Sequence, residues 1–185
     1  MAVAGAVLTG GASRRMGRDK ATLEIDGVAM AARVVGALEA GGCAPVFLVG
    51  GDAAQLAGIG RPVVADAWPG EGPLGAVIVA LRHAAQPVLV AACDLPWLDA
   101  GTVGSLLAAH LAHPDVDVVH AASPAIEPLC AVWHPTALAS LTTAFAAGER
   151  GMQRAIAGLR AHPCAMDPLA LANINRPGDL PEPLG

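Results

Sequence analysis

Aromatic residues are scarce in this chain: three tryptophans, two phenylalanines and no tyrosine among 185 residues. With so little stacking surface and a net charge of −5, the sequence argues against a protein that binds nucleic acid through a basic face or stacked bases. Long apolar runs are lacking as well. Hydrophobic residues make up 54% of the chain, but much of that is alanine, and no stretch of about 18 uncharged apolar residues is present to span a bilayer. The opening residues lack the basic start and long apolar middle of a secretory signal, so a soluble cytoplasmic protein with no membrane partner is expected. Cys43, Cys93, Cys130 and Cys164 are scattered without C-x-x-C spacing. That argues against a zinc site or a disulfide framework and predicts small core residues. The histidines, at 83, 110, 113, 120, 134 and 162, form no H-x-x-x-H or H-E-x-x-H pattern. Solvated or helix-capping roles are expected for them, with His110 and His113 near a helix end. Ser13 has no G-x-S-x-G elbow around it, which disfavours a serine hydrolase.

Lysine is rarest of all. Lys20 is the sole lysine against ten arginines, and it falls beside Arg14, Arg15 and Arg18 with only Asp19 as an offset. A chain that otherwise uses arginine for its cations keeps one compact ammonium inside its basic cluster, which suggests a site that a planar guanidinium does not fit.

What is present is an alternation of short aliphatic runs and helical patterns. Strands are expected at 3–8, 45–49, 62–65, 88–92, 116–120 and 129–133. Met30, Val34 and Leu38 recur at helical spacing, as do Val103, Leu106, Leu107 and Leu111, then Leu138, Leu141 and Phe145, with a shorter helix over 151–159. The early strands are continuous apolar runs, the mark of strands buried on both faces. The expected fold is one domain over 1–185, a three-layer α/β Rossmann-like unit with a mostly parallel central sheet. In such a sheet ligands bind beyond the carboxyl ends of the strands.

Three segments follow strand ends conspicuously. The first, Leu8-Thr9-Gly10-Gly11-Ala12-Ser13-Arg14-Arg15-Met16-Gly17-Arg18-Asp19-Lys20, leaves the first strand directly. Its glycines clear side chains from backbone amides that can form an anion-binding concavity, and Arg15 and Lys20 add full charges for phosphate oxygens. It is neither a Walker A loop nor G-x-G-x-x-G, which disfavours a dehydrogenase. The second segment, Cys93-Asp94-Leu95-Pro96, sets a carboxylate at the end of a buried strand. Asp94 either opens a turn or holds magnesium together with substrate phosphates, and its residue type alone leaves both readings open. The third runs from Asp66 through Pro69-Gly70-Glu71-Gly72-Pro73-Leu74-Gly75, where Asp66 either caps a turn or meets a ligand.

The run 8–20 resembles the L-x-G-G-x-S-x-R-M-G-x-D-K signature of the molybdenum cofactor guanylyltransferases, nucleotidyltransferases of Rossmann-like fold. Segment two resembles their C-D-x-P-x-L motif and segment three their G-P-L-x-G stretch near the base and ribose. Asn173-Ile174-Asn175-Arg176-Pro177-Gly178-Asp179-Leu180 resembles their N-x-N-T-P-x-D-L run, so four motifs occur in family order.

The resemblance implies nucleotide binding by Leu8, Gly10, Gly11, Arg15, Lys20, Asp66 and Asp94. It further implies catalytic roles for Arg15, Lys20 and Asp94, and Mg2+ on Asp94. Asn173 or Asn175 is implied to complete the metal or acceptor site, with Asn175 slightly favoured because Pro177 holds the backbone extended just afterwards; turn-forming asparagine is the alternative. The implied substrates are GTP and molybdenum-molybdopterin, with transient contact to cofactor-synthesis proteins or molybdoenzymes.

The chain departs from the pattern at Thr9 (commonly alanine), Ala76 (commonly glycine) and Arg176 (commonly threonine). Related cytidylyltransferases carry alanine-glycine where this chain has Gly10-Gly11, so the double glycine favours guanine. A cytidylyltransferase, a nucleotidyltransferase with another phosphorylated acceptor and a non-catalytic nucleotide-binding module are the competing readings.

Overall fold

A computed structural model describes residues 2–10 and 20–174. Its strands are β1 (Ala4–Leu8), β2 (Glu24–Ile25), β3 (Val28–Ala29), β4 (Val46–Val49), β5 (Val63–Val64), β6 (Val88–Ala92), β7 (Val118–Ser123), β8 (Ala125–Trp133) and β9 (Ala161–Ala165). Its α-helices are α1 (Met30–Ala40), α2 (Ala53–Leu56), α3 (Pro73–Ala84), α4 (Ala100–Ala112), α5 (Ala137–Ala146) and α6 (Met152–Ala157). Seven strands form one sheet in the order β5-β4-β1-β6-β8-β7-β9, while β2 and β3 pair as a separate small hairpin. Within the seven, β8 alone runs against its neighbours, pairing antiparallel with both β6 and β7. The other pairings are parallel, so the mostly parallel sheet is as expected.

Alternation along the strands divides the core into two layers. Val7, Leu48, Leu89, Ala91 and Val132 face one way and pack with Val34, Leu38, Val103 and Leu106 of α1 and α4. Ala6, Phe47, Val49, Val90 and Trp133 face the other way, against Leu74, Ile78, Leu141 and Ile156 of α3, α5 and α6. Both faces of every central strand are therefore covered, which is why these strands read as unbroken apolar runs. Local signals set the helix ends. Asp99 caps α4 by accepting from the Thr102 amide at 2.7 Å, and Pro73 occupies the first turn of α3 after Gly72 at φ 88°.

Several expectations are corrected. Strand 116–120 begins later and runs to Ser123, and 129–133 is the end of a strand that starts at Ala125. The β2–β3 hairpin and β9 were not anticipated; β9 carries a histidine and a proline and is held by parallel pairing with β7 at the sheet edge. On α4 the inward stripe is Val103, Leu106 and His110, while Leu111 is 61% exposed. His110 is thus buried and not solvated, because its position in the 3.6-residue repeat points it at the sheet. Among the described residues no helix is long and apolar enough to cross a membrane.

Candidate active site

The ends of β1, β4 and β6 meet where the glycine segment begins. Thr9 is buried, and its hydroxyl donates to the Gly50 carbonyl at 2.7 Å, with a second contact to the Val49 carbonyl at 3.2 Å. The amides of Thr9 and Gly10 also reach the Val49 carbonyl, and Cys93 N–H reaches the Leu8 carbonyl. Threonine in place of the family's alanine therefore fastens the start of the loop to β4. Gly50, at φ 76°, is required by contact: a Cβ there would lie 2.9 Å from the Gly10 Cα, while a Cβ on Gly10 would meet the Gly50 Cα at a tight 3.3 Å. Two glycines thus let β1 and β4 exits cross, and a carboxylate oxygen of Asp66 lies 3.8 Å from where a Gly10 side chain would begin.

Asp66 caps its turn. Its Oδ1 accepts from the Trp68 amide at 2.9 Å, while Oδ2 faces Gly10. The segment that follows is braced from the α5 side. The Trp68 and Phe145 rings lie 5.0 Å apart, and Arg150 stacks 3.9 Å over Phe145 while donating to Glu71 at 2.9 Å. Gly75 is confined by the same rings, since a Cβ there would sit 3.4 Å from each.

Lys20 opens a 3-10 turn (Lys20–Thr22), and its Nζ donates to Asp94 Oδ2 at 2.8 Å. With side-chain exposures of 15% and 24%, both ends of this pair border solvent without lying fully in it. The two residues are 74 positions apart in the chain. Asn173 is exposed next to Ile174, whose amide donates to the Asp94 carbonyl at 3.1 Å. Leu8, Gly10, Lys20, Asp66, Asp94 and Asn173 thus converge at the carboxyl end of the sheet. Gly11, Arg15 and Asn175 lie outside the described residues.

One acidic residue at this corner was missed by sequence reasoning. Glu127 lies on β8, near enough to Asp94 for the two carboxylates to feel each other's charge. Burial pushes the Glu127 carboxyl above its usual range; an N–H bond from Leu129 offsets part of this, and the charge of Asp94 pushes it up again. A signal existed, since Glu127 is the only Asp, Glu, Lys or Arg between Asp117 and Glu149.

No histidine belongs to this constellation among the described residues. His113 stacks on His162 at 3.6 Å, and its Nδ1 meets the Ala109 carbonyl at the end of α4, in line with a capping role. Cys43, Cys93 and Cys130 are buried and Cys164 is partly so, with no disulfide among them. An open groove of about 500 Å³ lies elsewhere, between α5 and α6, lined by Ser140, Ala144, Glu149, Arg154 and Leu159 among others.

Asp94 offers a single carboxylate that borders solvent. Among the described residues no group of three or more His, Cys, Asp or Glu gathers as a metal cage. Magnesium suits a site with one or two carboxylates, taking the rest of its oxygens from phosphates and water.

Comparison with known proteins gives the family. Residues 5–164 match the model of the MobA-like NTP transferase domain. A probable molybdenum cofactor guanylyltransferase of Opitutus terrae is 40% identical over 162 residues, covering 85% of this chain and 79% of the relative. One from Mycobacterium marinum is 34% identical over 191 residues, covering 100% of this chain and 94% of the relative. The crystal structure of molybdopterin-guanine dinucleotide biosynthesis protein A from Archaeoglobus fulgidus superposes with a TM-score of 0.79 at 23% identity, covering 96% of this chain and 94% of that one. This chain belongs to the MobA-like NTP transferase family.

Proposed function

We propose that this chain is a nucleotidyltransferase that moves GMP from GTP to the terminal phosphate of molybdenum-molybdopterin, releasing pyrophosphate and forming the guanine dinucleotide form of the cofactor. The observation that supports the reading most is the Lys20–Asp94 contact of 2.8 Å near the Gly10–Gly50 crossing, because it sets a cation beside a carboxylate at the strand ends where the proposed nucleotide loop starts. The names of the relatives, at 34% and 40% identity, supply the donor base and the acceptor.

In this reading an oxygen of the acceptor phosphate attacks the α-phosphorus of GTP, and the bond from that phosphorus to the bridging oxygen of pyrophosphate breaks. The nucleophile is already ionised at neutral pH, so no general base is needed. The chain's task is positioning and charge neutralisation. Gly10 and Gly11 admit the phosphates close to the backbone, Lys20 and Arg15 offset the charge of the departing pyrophosphate, and Asp66 contacts the nucleotide near Gly10. Asp94, with Asn173 or Asn175 alongside, would hold Mg2+, which supplies positive charge at the phosphates when bound. The reaction belongs in the cytoplasm, with cofactor-synthesis proteins or molybdoenzymes as transient contacts.

Incubation with GTP, Mg2+ and purified molybdenum cofactor should yield the guanine dinucleotide product by mass spectrometry, with CTP, ATP and UTP far poorer donors. Equal turnover with CTP would overturn the assignment of guanine. Nucleotide binding without pyrophosphate release, whatever the acceptor, would replace the enzyme by a binding module. Asp94→Asn should cut turnover by about 100- to 1,000-fold while leaving the fold intact.

A further inference from the structure

Besides the two layers on the central sheet, a third apolar cluster lies outside the main core. It consists of buried Ile25, Met30 and Ile174, with Leu23 and Trp97 packed against it. Its members come from three places: the segment after Lys20, the turn after Asp94, and the asparagine segment near the end of the chain.

Backbone bonds fix the first place internally and join the third to the second. Leu23 N–H reaches the Lys20 carbonyl at 3.2 Å, Met30 N–H reaches the Leu23 carbonyl at 2.8 Å, and Ile174 N–H reaches the Asp94 carbonyl at 3.1 Å. Arg33 closes the outside. It donates to the Ile25 carbonyl at 2.7 Å and lies 5.9 Å over the Trp97 ring. Ile174 is 3% exposed, whereas Asn173 just before it is exposed. One residue of the run is therefore an anchor, and its neighbour is left facing outward.

We propose that Ile174 is a positioning residue for nucleotidyl transfer: seated in the Ile25–Met30–Trp97 socket, it locks the asparagine segment to Asp94 and to the turn that presents Lys20. The inference rests on the reading of Asp94 and Lys20 as phosphate-site residues. The cluster shares no buried residue with either core layer, so its loss should leave the sheet intact. What it controls is the relative placement of three segments that must act on one substrate, where an error of about 1 Å costs about 100-fold in rate.

The test compares Ile174→Ala and Ile174→Val with the wild-type chain and with Asp94→Asn. Steady-state transfer from GTP to molybdenum cofactor, melting temperature and hydrogen exchange at the Ile174 amide are measured together. Ile174→Ala should lower kcat by about ten- to a hundred-fold while KM for GTP changes by about two-fold or less. Its melting temperature should fall by about 4–15 °C, as for truncation of one buried isoleucine, with the protein still folded at the assay temperature. Exchange at residue 174 should quicken while β1 and β6 stay protected, and Ile174→Val should recover most of the turnover. Wild-type kcat in the alanine variant, failure of valine to rescue, or global loss of folding would each overturn the proposal. If Asp94→Asn is inactive but Ile174→Ala is unaffected, only the socket fails. If Asp94→Asn retains full transfer, the phosphate-site reading fails, and the socket's role falls with it.

Discussion

At the scale of single residues, the site depends on which cation meets Asp94. An ammonium on a four-carbon stem reaches one carboxylate oxygen as a point charge, whereas guanidinium is planar and broader. Lys20→Arg should therefore preserve net charge yet lower transfer by at least about ten-fold, with an unchanged melting temperature. Wild-type turnover in that variant would show that charge alone suffices.

Glu127 gives a second prediction, of opposite sense. Its carboxyl is pushed above its ordinary range by burial and by Asp94. A group whose folded pKa exceeds its unfolded value stabilises fully below the unfolded value, and that contribution disappears as pH rises through the folded one. Removing the charge should then help at alkaline pH. In metal-free buffer Glu127→Gln should melt higher than wild type near pH 8 and indistinguishably near pH 4, by scanning fluorimetry. A lower melting temperature at pH 8 would contradict the account.

At the scale of elements, the crossing of the β1 and β4 exits is the least forgiving feature. Gly50 adopts φ 76°, and its Cβ would come within 2.9 Å of the Gly10 Cα, so neither partner has a flexible side chain to move aside. Gly50→Ala should destabilise by about 1–3 kcal/mol and weaken GTP binding more than ten-fold, because the strain falls on the start of the proposed phosphate loop. Denaturant melts and calorimetric titration with GTP would check both halves. The elements also show what was legible. β6 (Val88–Ala92) was readable to the residue, since a strand covered on both faces has no polar position to blur its ends. β9 was not readable, because Ala161–Ala165 contains His162 and Pro163 and owes its strand conformation to pairing with β7. His110 was misjudged for a related reason: a polar residue was assigned outward although the helical repeat carried it inward.

At the scale of the whole molecule, acid should loosen the fold in stages. His110 is held below the ordinary value of 6.5 by burial first and by the charge of His134 second. His162 is lowered by burial, then by His113 and His120. Folded pKa values below the unfolded ones mean that the unfolded chain takes up protons first, so the stability carried by these groups is whole above the unfolded value and is lost as pH falls from there through the folded one. The melting temperature should decline from about pH 7 to about pH 5, and His110→Leu should flatten that decline. A profile as steep in the variant would assign the effect elsewhere. Asp117 belongs to a later stage. Arg160 holds its carboxyl far below the usual range, Thr136 adds a further bond, and these ties between β7, α5 and the start of β9 give way only in stronger acid.

The linear chain determined by itself that strands and helices alternate, that the central strands are buried on both faces, and that glycines, one lysine and separated aspartates follow strand ends. Those features are local: a period, a run or a residue type is visible wherever it occurs. Tertiary structure alone decided that Lys20 meets Asp94 across 74 positions, that Glu127 comes near that aspartate, and that Ile174 seats beside Trp97. Such contacts follow from strand order and register, and from one reversed strand in an otherwise parallel sheet. Order and register arise from how whole faces pack against one another, a property of the assembled layers that no short window of sequence contains.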